Sequence, residues 1–236
     1  MVDLSLPIYD RMPTYPVMPK TAITPHIGEQ DLPFNLHQLV LCSHLGTHLD
    51  APYHFLSDGL TVDKLDLRKC VGPAAVVDLS GKGPKEEIRP EDLYPYEEAI
   101  ASCRRIILRT GWDKRFASDG YFSDHPAVTR EACVWMLERR IVCLALDMPS
   151  THVSEDAETH RLLLGPDAEV VLIEGLRGLD RLRGAQVVLM ALPLAIEGCD
   201  GSPCRVVAID GDVASLGASL NALALEDENS DLRGAT

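Results

Sequence analysis

Positive charge is scarce in this sequence: 22 Lys and Arg face 36 Asp and Glu, giving a formal charge of −14 over 236 residues. Duplex binding draws on many Lys and Arg contacts to phosphate, so the balance argues against a nucleic-acid partner and against an anionic membrane surface. Long apolar runs are also missing. The longest, residues 187–196, is broken by Pro193 and falls far short of the roughly 20 residues a bilayer helix needs. No basic stretch leads into an apolar one at the N-terminus, so no secretory signal is expected. Cys-x-x-Cys is absent. The seven cysteines are odd in number and scattered, which signals neither a disulfide framework nor a thiolate zinc site. Cys42, Cys103, Cys133 and Cys143 sit in apolar surroundings and read as small hydrophobes, so a reduced, cytoplasmic protein is expected. There is no repeat with a period of about 20–50 residues, and no Gly-x-Ser-x-Gly elbow that would announce a serine nucleophile.

What is present can build a core, since 46% of the residues are hydrophobic and 25% charged. Short β-branched runs around 74–79, 105–109, 141–146, 169–173, 186–191 and 205–209 have the length and the Gly, Pro and Asp boundaries of largely buried strands. Thr129 is placed to N-cap a helix carrying Ala132, Cys133, Trp135, Met136 and Leu137, with Arg139 and Arg140 at its C-terminal dipole end. The proline-rich N-terminal third, with strand-like pieces around 4–8 and 36–42, suggests strands and ordered loops rather than βα units. Residues 81–92 read as an exposed loop leading into a short helix around 96–102, and residues 226–236 as a frayed acidic tail. Together these predict mixed α and β structure in one domain.

Of the eight histidines, three fall within residues 44–54, at His44, His48 and His54, with Asp50 among them. All four positions are even, so an extended chain would aim them to one side. A straight strand nevertheless fails, because at about 3.3 Å per residue His44 and Asp50 would lie roughly 20 Å apart, and shared ligands sit about 2.0–2.2 Å from an ion. The chain must therefore turn, and Gly46 and Pro52 are the residues that permit and fix turns. Two imidazoles and a carboxylate brought together in this way suit Zn²⁺ or Mn²⁺.

The same residues spell His-x-Gly-Thr-His-x-Asp-x-Pro-x-His, and by this segment the chain resembles the metal-dependent cyclase-like hydrolases, which include bacterial kynurenine formamidases (arylformamidases) and isatin hydrolases. Arg109-Thr110-Gly111-Trp112, Asp147 with Ser150, His160, Glu174, and the stretch from Pro193 through Asp200-Gly201-Ser202-Pro203 to Arg205 resemble the family's later blocks, in order. The resemblance implies a single-domain mixed α/β swivelling β/β/α cyclase-like fold over residues 1–210, followed by a C-terminal extension over 211–236 with an acidic tail. It also implies one or two divalent ions per subunit, with His44, His48 and Asp50 on the first. In two-metal members Asp50 would bridge to a second ion also bound by His160, with Glu174 on both. His54 becomes the general acid/base.

The expected reaction is hydrolysis of a small amide, formamide or lactam by metal-activated water; the alternatives are lactone or ester hydrolysis, a cyclase, or a non-catalytic binder that retains the fold. Kynurenine formamidases present a tryptophan followed by Pro-Gly-Asp where this chain has Tyr15-Pro16-Val17-Met18. Tyr15 still offers an aromatic face to a substrate ring, with Phe34 a second wall candidate and Tyr53 and Phe55 further ones. His125 reads as a loop residue, His152 as a possible neighbour of the site, and residues 200–203 as a turn by composition, which the resemblance would place close to the metal or at a subunit contact. A homodimer or homotetramer is expected from the resemblance.

Overall fold

The computed structural model describes residues 1–28, 33–153, 157–166 and 168–211. The acidic tail and all but the first residue of the expected C-terminal extension lie outside these. The strands are β1 (Val2–Asp3), β2 (Ala22–Ile27), β3 (Leu36–Val40), β4 (His48–Asp50), β5 (Val71–Asp78), β6 (Glu87–Ile88), β7 (Arg105–Arg109), β8 (Ala127–Val128), β9 (Cys143–Leu146), β10 (Val171–Glu174), β11 (Gln186–Pro193) and β12 (Gly201–Ile209). The helices are α1 (Pro90–Leu93), α2 (Glu97–Cys103), α3 (Arg130–Glu138) and α4 (Glu158–Leu163).

The principal sheet runs in the order β1-β12-β11-β5-β7-β9-β10-β4, and β4 also pairs with β12. That last pairing closes every strand but β1 into a barrel, so the short β4 is hydrogen-bonded on both sides, with Asp50 opposite Leu172 of β10 and Gly201 of β12. Period-two alternation explains why the strand sequences look apolar throughout. Ala74, Val76, Ile107, Cys143, Ala145, Val171 and Ile173 join one buried cluster with Leu49 of β4 and Val206 of β12. Their neighbours Ala75, Val77, Ile106, Leu108, Leu144, Leu146 and Leu172 join a second one with Ile100 of α2 and Ala132, Cys133 and Met136 of α3. The first set, small or β-branched, fills the barrel, and the larger side chains of the second face the helices.

The architecture is the expected mixed α/β one, centred on one sheet. Thr129 caps α3 as predicted, its hydroxyl accepting from the Ala132 amide at 3.2 Å. Two local expectations change. Residues 81–92 are not wholly an exposed loop, because Ile88 is fully buried where β6 pairs with β8. Residues 200–203 are not simply a turn. Gly201 already begins β12, since the edge of β4 gives its backbone a partner that composition alone does not reveal.

Candidate active site

The predicted turn is made where it was needed. Gly46 has φ +61, a conformation that favours glycine, and Pro52 opens a single 3₁₀ turn over Pro52–His54. Between these bends, β4 sends Leu49 into the barrel and His48 and Asp50 to the other side. Glu174, the last residue of β10, is the direct partner of His48. His160 comes from α4, and His44 and His54 from the two bends. Seen alone in sequence, His160 and Glu174 look like surface positions; both are 3% exposed.

These side chains form overlapping groups. His44, His48 and Asp50 lie close enough to hold one ion, and so do Asp50, His160 and Glu174, with Asp50 common to both. Asp50 Oδ1 stands 2.7 Å from His44 Nδ1 and 3.3 Å from His48 Nε2, while Oδ2 is 3.5 Å from His160 Nε2. Glu174 Oε1 is 3.3 Å from that same nitrogen and Oε2 is 3.6 Å from His48 Nε2. The outer ring nitrogens are tied to the chain: His48 Nδ1 to the Gly46 carbonyl at 3.0 Å and His160 Nδ1 to Thr151 Oγ1 at 3.0 Å. Each tie leaves Nε2 turned inward, the arrangement a metal-ligating histidine needs.

The donor set fits a divalent cation on an observation independent of motif. Asp50 Oδ2 and Glu174 Oε1 are buried and form no hydrogen bond. Two buried carboxylate oxygens that form no hydrogen bond and face the same His160 Nε2, at 3.5 and 3.3 Å, are costly unless a cation solvates them. Burial raises the Asp50 pKa, but His44, His160 and His48 outweigh it and hold the carboxyl well below the usual range. Burial likewise opposes protonation of His44, yet Asp50 and Asp200 push it up to about 11. His160, also buried, is pushed up to about 9 by Asp50 and Glu174. In the absence of an ion, protons therefore do the neutralising.

His54 stands beside this cluster. Its ring is 3.8 Å from that of His44, centroid to centroid, and its Nδ1 is 3.1 Å from Asp200 Oδ2. Burial pushes its pKa below the ordinary histidine value. The cluster opens into a cavity of about 520 Å³ that is also lined by the aromatic side chains Tyr15, Phe55, Phe116, Tyr121 and Phe122, with Phe55 against His54 and His160. Tyr15 meets Phe122 edge to face at 5.5 Å, and Trp112 Nε1 donates to the Tyr121 carbonyl at 2.9 Å, which fixes the loop that carries this wall. Asp147 holds the same region from beneath, accepting from the Thr110 amide and hydroxyl and the Gly111 amide.

All the sequence-predicted ligands, His54 and Tyr15 thus line one cavity, and His152 joins them. Phe34 does not line it; it is 50% exposed beside the β2–β3 hairpin. Tyr53, another wall candidate, is 41% exposed and also lies outside the lining. His125 sits in a loop, as expected, and is fully buried there, its Nδ1 donating to the Pro126 carbonyl at 2.7 Å. Sequence reasoning missed Asp200 as a partner of two histidines, together with Phe116, Tyr121 and Phe122. The adjacent aromatics Tyr121 and Phe122 in an otherwise polar stretch were the available signal for the wall.

Residues 2–153 match the model of the "Putative cyclase" family. The chain is 30% identical over 213 residues to a kynurenine formamidase of Bacillus cereus, covering 87% of this chain and 95% of that protein. It is equally identical, over the same shares, to the kynurenine formamidase of Bordetella petrii. Among solved structures it superposes on an isatin hydrolase bound to the product analogue thioisatinate, with a TM-score of 0.77, 27% identity and coverage of 88% of this chain and 90% of that one. Isatin hydrolase A from Labrenzia aggregata, bound to benzyl benzoate, gives a TM-score of 0.77 at 27% identity, covering 89% of this chain and 93% of that one.

Proposed function

The chain belongs to the cyclase family, and from that membership we propose that it hydrolyses the C–N bond of a small amide, formamide or lactam with the help of a divalent metal ion. Zinc or manganese would be held by His44, His48, Asp50, His160 and Glu174, with His54 as the general acid/base. The observation that carries this reading is Asp50, a buried carboxylate shared by two potential ion-binding groups and left with an oxygen that forms no hydrogen bond. That sharing also supports two ions rather than one. When bound, such an ion supplies Lewis acidity toward a carbonyl and acidifies water toward neutral pH.

The rest is done by the chain. With Nδ1 of His54 engaged by Asp200, the other ring nitrogen, Nε2, is the one available to take a proton from water and return it to the leaving nitrogen. Burial keeps that imidazole neutral at physiological pH, as a base requires. The aromatic wall of Tyr15, Phe116, Tyr121 and Phe122 favours a flat aryl substrate. Formylated aromatic amines and isatin-like lactams, the substrate types named in the relatives, meet that description. All seven cysteines are free, which supports a cytoplasmic location. Symmetric assembly is supported by the β2–β3 hairpin, whose Leu36, Leu39 and Val40 are 45%, 56% and 51% exposed.

The test is a panel of formanilides, isatin-like lactams and lactones offered to protein of measured zinc and manganese content. Chelator-sensitive turnover of an amide or lactam is expected. Stoichiometric metal with no turnover of any panel member would make the protein a binder instead.

A further inference from the structure

Asp200 is the carboxylate of the site that stands outside both groups sharing Asp50; with His44 and His54 it forms a third group of close donor atoms. Its Oδ2 lies 2.7 Å from His44 Nε2 and 3.1 Å from His54 Nδ1. The same oxygen thus meets one nitrogen of each of two rings that are tilted by only 32° and stacked 3.8 Å apart. We propose that Asp200 is the positioning residue of the site, a single acceptor that fixes the ring orientation and tautomer of both a metal ligand and the acid/base.

An ionised carboxylate only accepts hydrogen bonds, so each ring nitrogen facing it must carry the hydrogen. His44 meets Asp200 through Nε2–H; its Nδ1, 2.7 Å from Asp50 Oδ1, carries the second hydrogen in the metal-free protein and is the nitrogen that would give it up to offer a lone pair to an ion. His54 is the Nδ1–H tautomer and keeps the lone pair of Nε2 for the cavity. His48 and His160 are oriented by other groups, the Gly46 carbonyl and the Thr151 hydroxyl. A metal-ligating imidazole whose second nitrogen meets a carboxylate is both oriented and made a stronger ligand. Here that carboxylate also orients the general base, which links ion affinity to proton transfer.

The backbone is built to bring this about. Asp200 is 156 positions from His44 and 146 from His54, and it arrives only because Gly201 pairs with Asp50 where β12 closes on β4. The Asp200 carbonyl accepts from the Ala51 amide at 3.0 Å, pinning the residue to the end of β4. Gly201 leaves room for the ring: a Cβ there would lie 2.9 Å from His44 Cε1 and 2.7 Å from the Leu49 carbonyl oxygen.

The inference rests on the metal-hydrolase reading, and its test is chosen to be separable from it. Asp200→Asn, near-isosteric, and Asp200→Ala are compared with the parent by competition of Zn²⁺ or Mn²⁺ with a chelator, and by ¹⁵N NMR of the histidine rings. Asparagine decides the matter if the alanine variant fails to fold. Affinity is expected to fall about 10–100-fold with the number of bound ions unchanged. His54 should lose its fixed Nδ1–H tautomer, and kcat should fall about 10²-fold with little change in KM. Unaltered affinity and tautomers overturn the proposal, as does the loss of a whole equivalent of metal, which would make Asp200 a ligand. Affinity and tautomer need no substrate. If they change as stated in a protein that turns over nothing, the hydrolase reading fails while the positioning role of Asp200 stands.

Discussion

Glu174 and His48 are direct partners across the antiparallel pairing of β10 with β4, and Glu174 Oε2 stands 3.6 Å from His48 Nε2. One register thus binds the strand that carries two motif residues to the strand that carries the distant carboxylate. A slip of one residue would turn Glu174 into the barrel and Leu49 out of it.

Because Glu174 Oε1 is buried and forms no hydrogen bond, Glu174→Gln should weaken ion binding at least tenfold. Added Zn²⁺ or Mn²⁺ should raise the melting temperature of the chelated parent. At the same excess of ion, the variant should gain about 1.4 kcal/mol less stabilisation. Equal metal-induced shifts in calorimetry would remove Glu174 from the ligand set.

Loading an ion should release protons. His44 and His160, pushed up to about 11 and about 9 in the metal-free protein, are both protonated at pH 8 and must lose those protons to ligate. Titration calorimetry in buffers of different ionisation enthalpy should report about two protons per chain. The linked stability has a definite sign. Both folded pKa values lie above the unfolded value near 6.5, so their contribution is complete below that pH. As pH rises the chelated protein should lose first the share of His160, through about 9, and then that of His44, through about 11. Denaturant midpoints that stay flat over this range would show the rings already neutral.

His54 belongs to neither of the groups centred on Asp50, so His54→Ala should retain its metal while kcat falls by roughly 10²–10⁴. Metal analysis beside steady-state kinetics decides this. A variant as active as the parent would remove His54 from proton transfer, and one stripped of metal would move it into the ligand set.

Gly175 has φ +67, and a Cβ there would lie 2.4 Å from the Gly46 carbonyl oxygen. Gly175→Ala should therefore cost roughly 2–4 kcal/mol in urea denaturation, since it combines left-handed strain with a displaced backbone. The displacement also breaks the bond from Thr47 Oγ1 to the Gly175 carbonyl, 2.6 Å, which ties the bend before β4 to the end of β10. Metal affinity should fall with stability, because Glu174 is the adjacent residue.

The site was most legible where its residues are neighbours in the chain. Alternation at even positions, together with Gly46 and Pro52, foretold that His44, His48 and Asp50 would converge, because a turning strand has few ways to arrange three such residues. The buried strands were legible for the same local reason, period two on two covered faces. His160 and Glu174 were assigned only through the family resemblance, since a lone histidine in an apolar stretch and a glutamate at a strand end carry no local mark. Asp200 fared worse. Asp-Gly-Ser-Pro has the composition of a turn, and what makes Gly201 a strand residue is β4, about 150 positions earlier.

The sequence by itself therefore determined the kinds of atoms offered to an ion and the bends that gather the first three ligands, because spacing and backbone freedom are local properties. Tertiary structure decided the rest: which distant carboxylate joins the cluster, which one meets His44 and His54, and which aromatic side chains line the cavity. Those depend on the closure of β12 and β10 around β4, and contacts made by closing a barrel leave no pattern in any short stretch of chain.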